Sequence, residues 1–284
     1  MKLKLAALFL ICTSFAAAEI KEIDRISSIL PDIEEETLVL LDIDETLIET
    51  PIMLGGKAWR RYARNILNKS KGEEEATRIH DKLTYFIAGQ VPYIAIEDEV
   101  YGCFTEFKTK NASVFGFTAR GREHWYDMPS PDGEALGVLH LKQAGIELYP
   151  SSVIADEALF LHPSYGQNIF FAYPLEDKGD LILELFAGTS YRPSKVVFVD
   201  DKLDHARSVD SALKSLGIPA VCFHYTHVDS YRPFDAMIAH IQLEKLLFEN
   251  RTLSNDEAAA LKSKYADKNP DEFFLELINR FLSN

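Results

Sequence analysis

The run LVLLDIDET, Leu38 to Thr46, limits what this chain can fold into more than any other stretch. Thr37 to Leu41 is apolar and β-prone between polar flanks, the pattern of a strand buried on both faces. It leads directly into Asp42 and Asp44. Two further runs are built the same way: SVFGF, Ser113 to Phe117, ends in TAR, and KVVFV, Lys195 to Val199, ends in the pair Asp200 and Asp201. Between the strands lie helical patterns at about Lys57 to Lys69, Glu73 to Ala88, Gly133 to Ala144, Gly179 to Phe186 and Leu203 to Leu216. Strands alternating with helices predict an α/β fold, a three-layer Rossmann-like parallel sheet with helices on both faces. In such a sheet ligands bind beyond the carboxyl ends of the strands, where all three polar clusters fall.

The sheet core is expected over residues 19–51 and 111–233. Residues 52–110 look mostly helical and are too long for one crossover, so they are expected to form a helical cap inserted over the site. Residues 234–284 predict a helical C-terminal extension: Ser254 and Glu257 have capping-box spacing, and Pro270 suits a first helical turn. Phe273, Phe274, Leu277, Ile278, Phe281 and Leu282 fall on one helical stripe, expected to pack against the sheet domain.

Residues 1–18 have the layout of a signal peptide. Lys2 and Lys4 precede an apolar stretch from Leu5 to Phe15, and Ala16 to Ala18 form a small-residue cleavage site. Eleven apolar residues rise only about 16 Å as a helix, roughly half a bilayer core. The expectation is therefore an exported protein, periplasmic or secreted, with no stable membrane insertion after cleavage. Bulky Ile11 before Cys12 argues against a lipid anchor. Cys103 and Cys222 remain; with no CxxC spacing they are expected to be buried apolar thiols. Loss of Lys2 and Lys4 takes the net charge from −14 to −16, which repels nucleic acid at long range.

Asp42 and Asp44, two apart on an extended chain, emerge on the same side. Paired desolvated carboxylates need a cation, and Mg²⁺, which takes carboxylates, water and phosphate oxygens, meets that need. A calcium loop requires glycine and glutamate where this chain has Leu47 and Met53.

With the four clusters in view, the chain resembles the haloacid dehalogenase-like superfamily over roughly residues 37 to 225. LVLLDIDETL is similar to its first motif, DxDxT; VFGFTAR to the second; EDKGDLILELF to the third; KVVFVDDKLDHA to the fourth. Within it the secreted acid phosphatases and related exported bacterial proteins are the most similar. The resemblance implies a phosphomonoesterase acting on a small phosphorylated substrate. Asp42 would be the nucleophile that becomes an aspartyl-phosphate, and Asp44 the general acid and then base. Thr118 and Lys178 would hold the phosphoryl oxygens. Mg²⁺ would be bound by the Asp42 carboxylate, the Asp44 carbonyl and Asp201, with Asp200 as a further metal-shell or positioning residue.

Several assignments stay open at this level. Lys202 competes with Lys178. Arg120 either reaches substrate or pairs with a carboxylate. Asp204 or His205 completes the surroundings of the acidic pair, because the superfamily's usual acid is displaced here. Arg60, Arg61, Tyr62 and Arg64 either contact a phosphate-bearing molecule or form a solvated face, and His224 and His227 are expected to be solvated or core histidines. The competing functions are a catalytically silent envelope binding protein, a phosphomutase and a response-regulator receiver. The last places its acidic pair on the first strand, unlike Asp200 and Asp201.

Overall fold

The computed structural model describes residues 20–123, 132–149, 161–173, 175, 177–231 and 233–283; the expected leader lies outside them. The order begins with β1 (Lys21–Ile23), a 3-10 helix (Ile26–Asp32), β2 (Leu38–Leu41), β3 (Ile48–Glu49), α1 (Lys57–Lys71) and α2 (Glu73–Ala88). It continues with β4 (Ile94–Ala95), α3 (Glu99–Thr109), β5 (Ser113–Gly121), α4 (Gly133–Gln143), β6 (Tyr165–Gly166), β7 (Ile169–Tyr173) and α5 (Lys178–Ala187). Then follow β8 (Val196–Asp200), α6 (Leu203–Ser215), β9 (Ala220–Tyr225), α7 (His227–Tyr231), α8 (Ala236–Glu249), α9 (Asn255–Leu261) and α10 (Pro270–Leu282).

Among the described residues seven strands form one sheet in the order β1-β9-β8-β2-β5-β7-β6, parallel except for the β6–β7 pair. β2 is central, and its alternating side chains feed two apolar cores. Leu38 and Leu40 join Phe115, Phe117 and Phe198 on one face, covered by Leu181 and Ile182 of α5 and Val209 and Leu213 of α6. Val39 and Leu41 join Val114, Val197 and Val199 on the other, with Val100 and Phe107 of α3 and Ile26 and Ile29 of the 3-10 helix. Burying each such side chain contributes roughly 1.5–3 kcal/mol, so the two-sided hydrophobic pattern selects a central parallel strand. The α/β sheet with both faces covered is as the sequence predicts, and the three expected strands appear. Cys103 and Cys222 are free and buried.

The connection from β2 to β5 divides in two. α1 and α2 meet at Gly72, whose φ of +81° turns the chain where a side chain would be strained. They pack on each other, and α1 also packs on α8 and α10. α3, by contrast, lies on the 3-10 helix and β5 and belongs to the sheet's own helical layer. The tail departs from the expectation that it packs on the sheet. Phe273, Phe274, Leu277 and Ile278 of α10 are buried, but α10 lies on α1 and α8. Trp59 of α1 meets Phe274 edge-on at 6.4 Å and Phe86 of α2 meets Phe281 at 5.8 Å. The reason is that α5 and α6 on one face, and α3 on the other, already cover the sheet, whereas α1 presents Trp59, Ala63, Ile66 and Leu67. The Ser254–Glu257 capping box and Pro270 in the first turn of α10 are both present.

Candidate active site

Because β2 lies between β8 and β5, their carboxyl ends converge. Asp42 leaves β2 with its N–H donating to Val199 O at 2.9 Å, beside Asp200 and Asp201 at the end of β8. Thr118 and Arg120 lie at the end of β5, and Lys178 opens α5 just after β7. The chain leaves β2 toward β5 and later returns to its other side through β8, so this is a topological switch point, the usual place for ligands in such sheets.

Lys178 is completely buried. Its Nζ donates to Asp42 Oδ1 at 2.5 Å and to Asp200 Oδ2 at 2.6 Å. Thr46 Oγ1 donates to Asp42 Oδ2 at 3.2 Å, and the Lys202 N–H donates to Asp200 Oδ1 at 2.8 Å. His205 Nδ1 lies 3.1 Å from Asp200 Oδ2. Lys202 has its side chain exposed, so the site lysine is Lys178. Asp204 pairs with Arg207 in solvent, so His205 is the residue that completes the surroundings of the acidic pair.

Burial pushes the Asp42 carboxyl up, Lys178 opposes this, and Asp200, Asp201 and Asp44 add to the rise. Burial works the same way on Asp200, but Lys178 and His205 outweigh it and hold that carboxyl down. Lys178 thus meets two of three clustered buried carboxylates and Lys57 the third, Asp201, which leaves an excess of negative charge in a dry place. Asp42, Asp200 and Asp201 can each present an oxygen, all within 4.8 Å of one another. Asp201 Oδ2 is buried and has Lys57 Nζ 3.1 Å away as an ion pair. An all-oxygen donor set with surplus negative charge fits a hard divalent cation such as Mg²⁺.

Asp44 belongs to a second network. Arg120 grips it with Nε to Oδ2 at 2.7 Å and Nη2 to Oδ1 at 2.6 Å. Burial disfavours the charge on Asp44, but the guanidinium overrides this and holds the carboxyl well below the usual carboxylate range. Of the two roles left open for Arg120, the structure therefore displays the carboxylate pair. Both Nη atoms of Arg120 also lie 3.1 Å from His140 Nδ1, while His140 Nε2 lies 2.9 Å from Ala88 O. Burial and Arg120 lower the His140 pKa to about 3, so the ring is neutral, accepting at Nδ1 and donating at Nε2. Tyr93 stacks on it with centroids 3.8 Å apart. Thr118 is buried, its Oγ1 accepting from the Arg120 N–H at 3.2 Å.

Arg60 pairs with buried Glu45, whose carboxyl burial raises to about 7 against the pull of Arg60. Arg61 is exposed, Tyr62 donates to Asp271, and Arg64 Nη2 lies 3.4 Å from Thr77 Oγ1. Of that helical group, Arg60 pairs beside the site and Arg61 lines the neighbouring cavity. His224 faces Glu22 at 3.6 Å and His227 the Asp24 carbonyl at 2.9 Å, both away from the carboxylates. Sequence reasoning missed Lys57, Tyr93 and His140, which the fold brings in from helices and loops with no local motif, and Glu45, which sits inside the DIDET run between Asp44 and Thr46.

Over residues 19–259 the sequence matches a family described as "Protein of unknown function (DUF2608)". Two Chlamydia pneumoniae proteins, each named "Putative outer membrane protein", are similar to it. One is 25% identical over 249 residues, spanning 81% of this chain and 87% of the relative. The other is 23% identical over 259 residues, spanning 88% and 93%. No solved structure matches. Among the described residues no helix is long and apolar enough to cross a membrane.

Proposed function

The chain belongs to the family of proteins of unknown function DUF2608, and we propose that it is an exported, Mg²⁺-dependent phosphomonoesterase of haloacid dehalogenase-like fold, working through an aspartyl-phosphate on Asp42. The observation that carries this reading is the buried Lys178 bridging Asp42 and Asp200, with Asp201 clustered beside them. A carboxylate, an ammonium and surplus negative charge at a switch point suit in-line attack on a phosphoryl group.

In the first step an Asp42 carboxylate oxygen attacks phosphorus, the ester P–O bond breaks, and the leaving oxygen takes a proton from Asp44. In the second, Asp44 takes a proton from water, whose oxygen attacks phosphorus. The bond to Asp42 breaks, releasing phosphate and restoring the carboxylate. Lys178 and Thr118 hold the phosphoryl oxygens. Mg²⁺ held by Asp42, Asp200 and Asp201, with the Asp44 carbonyl, would supply positive charge to those oxygens. Arg120 favours the ionised Asp44 that the second step needs; the first needs the proton, so Arg120 must loosen as substrate arrives, drawn to the phosphoryl group.

Export is supported by the leader at residues 1–18 and by the names of the two relatives. The test uses the mature chain with p-nitrophenyl phosphate. Turnover should vanish in chelator and return with Mg²⁺, and Asp42→Asn should abolish it. Asp44→Asn should give a burst near one nitrophenolate per enzyme and phosphate trapped on Asp42. Undiminished turnover in a metal-free sample, or label on Asp44, overturns the mechanism.

A further inference from the structure

A cavity of about 450 Å³ adjoins the carboxylate cluster. Lys57 and Glu45 line it, and Lys57 Nζ reaches Asp201, so the cavity begins one side chain from the proposed phosphate position. That volume lies within the usual range for a small-molecule site. Its apolar wall is Ile52 and Met53 from the loop after β3, and Val228 and Phe234 from the C-terminal third of the chain, while Arg61 stands exposed at its edge. Other polar groups around it are engaged. Glu45 pairs with Arg60, Lys57 with Asp201 and Asp229, and Asn255 with loop backbone.

The apolar wall is held in shape by the tail. Asn255 Oδ1 accepts from the Met53 N–H at 2.9 Å and its Nδ2 donates to Pro51 O at 3.3 Å. Gln242 of α8, almost wholly buried, accepts from the Leu54 N–H at 3.0 Å and donates to Asn255 Oδ1, also at 3.0 Å. The ring of Phe234 rests against Tyr62 of α1, centroids 5.6 Å apart. Ile52, Met53, Val228 and Phe234 together offer an apolar surface on which a flat ring gains contact.

We propose that this cavity receives the organic part of the substrate, that the substrate is the phosphate monoester of a flat apolar alcohol, and that Met53 and Phe234 determine this specificity. The proposal rests on the phosphomonoesterase reading above, and its test separates the two. Phenyl and 1-naphthyl phosphate have similar leaving groups but differ in apolar area. In the full mature protein with Mg²⁺, KM for 1-naphthyl phosphate should lie about tenfold below that for phenyl phosphate. Met53→Ala and Phe234→Ala should each shrink that ratio to about threefold or less. A ratio near one in the parent protein, or a ratio unchanged in both variants, overturns the assignment. Absence of turnover with both esters defeats the activity reading, and calorimetry then judges the cavity alone. In that case 1-naphthylmethylphosphonate should bind about tenfold more tightly than benzylphosphonate, an advantage lost in both variants. Equal affinities, or no binding by the parent protein, remove the cavity from substrate recognition.

Discussion

Arg120 holds Asp44 by two nearly parallel hydrogen bonds, 2.7 Å from Nε and 2.6 Å from Nη2, so the acid–base candidate rests in its ionised form. Arg120→Gln removes that charge and lets the buried carboxyl regain a proton more readily. Esters of poor leaving groups, which need the proton, should gain relative to aryl esters. The expected rise in the alkyl-to-aryl turnover ratio at pH 6 is several-fold, measured by phosphate release from both. A ratio unchanged by the substitution would separate Arg120 from control of Asp44.

Lys178→Met should leave Asp42 and Asp200 in the interior without the cation they share. Breaking a buried ion pair from one side costs about 3–5 kcal/mol. Thermal unfolding in chelator should show this loss, and saturating Mg²⁺ should restore part of it by binding only the folded state. Restoration by Mg²⁺ is the informative half, because a purely structural lysine would give the loss without it.

Gly179 follows Lys178 at the point where α5 crosses α6. A Cβ there would lie 2.2 Å from Ser208 Oγ and 2.7 Å from the Ser208 carbonyl oxygen. Ser208 Oγ also donates to Asp177 Oδ1 at 2.6 Å, and Asp177 caps α5 by accepting from the Asp180 N–H. Gly179→Ala should therefore push the start of α5 outward, costing about 1–3 kcal/mol as overpacking does. Because Lys178 moves with that turn, turnover should fall more than stability alone explains, measured as kcat well below the unfolding midpoint.

His240 sits in α8 between the rings of Tyr62, at 5.4 Å, and Phe274, at 5.1 Å. Burial lowers its pKa from 6.5 to about 4, against the weaker opposing pull of the Pro270 backbone, Asp271 and Asp235. A histidine kept neutral by folding contributes stability above its unfolded pKa and loses it as pH falls toward the folded one. Between pH 6.5 and 4 the loss from this residue should approach about 3 kcal/mol. His240→Leu should flatten that part of a denaturant-midpoint profile against pH.

Intact-mass analysis of protein from its native host should find a chain starting at or near Glu19. A soluble cytosolic form that retains Met1 would contradict export.

The strands β2, β5 and β8 were legible because each is an unbroken apolar run that stops at charge. The helices between them carried plain 3.6-residue patterns. Asp42, Asp44, Thr118, Asp200 and Asp201 were legible for the same local reason, since the end of a buried strand fixes where its next side chains emerge. β1 was not: Lys21, Glu22 and Ile23 make an edge strand too short and too polar to announce itself. Lys57, Tyr93 and His140 were hidden differently. Lys57 and His140 carry only the pattern of the helix they sit in, Tyr93 precedes a two-residue strand, and their meeting with Asp201 or Arg120 is set by tertiary packing. The tail's docking on α1 was equally out of reach, because an apolar stripe states that it must be covered without naming the cover.

The parallel pairing of Lys21–Ile23 with Phe223–Tyr225 joins segments separated by almost the whole length of the sheet domain. During synthesis or passage through a membrane pore the N-terminal strand appears first, yet β9, the strand it pairs with, appears after β8 and α6. Closing so long a loop is slow and must wait for late chain segments. The outermost strand should accordingly be the last to dock, and a nascent chain halted before residue 220 would leave it without a place in the sheet.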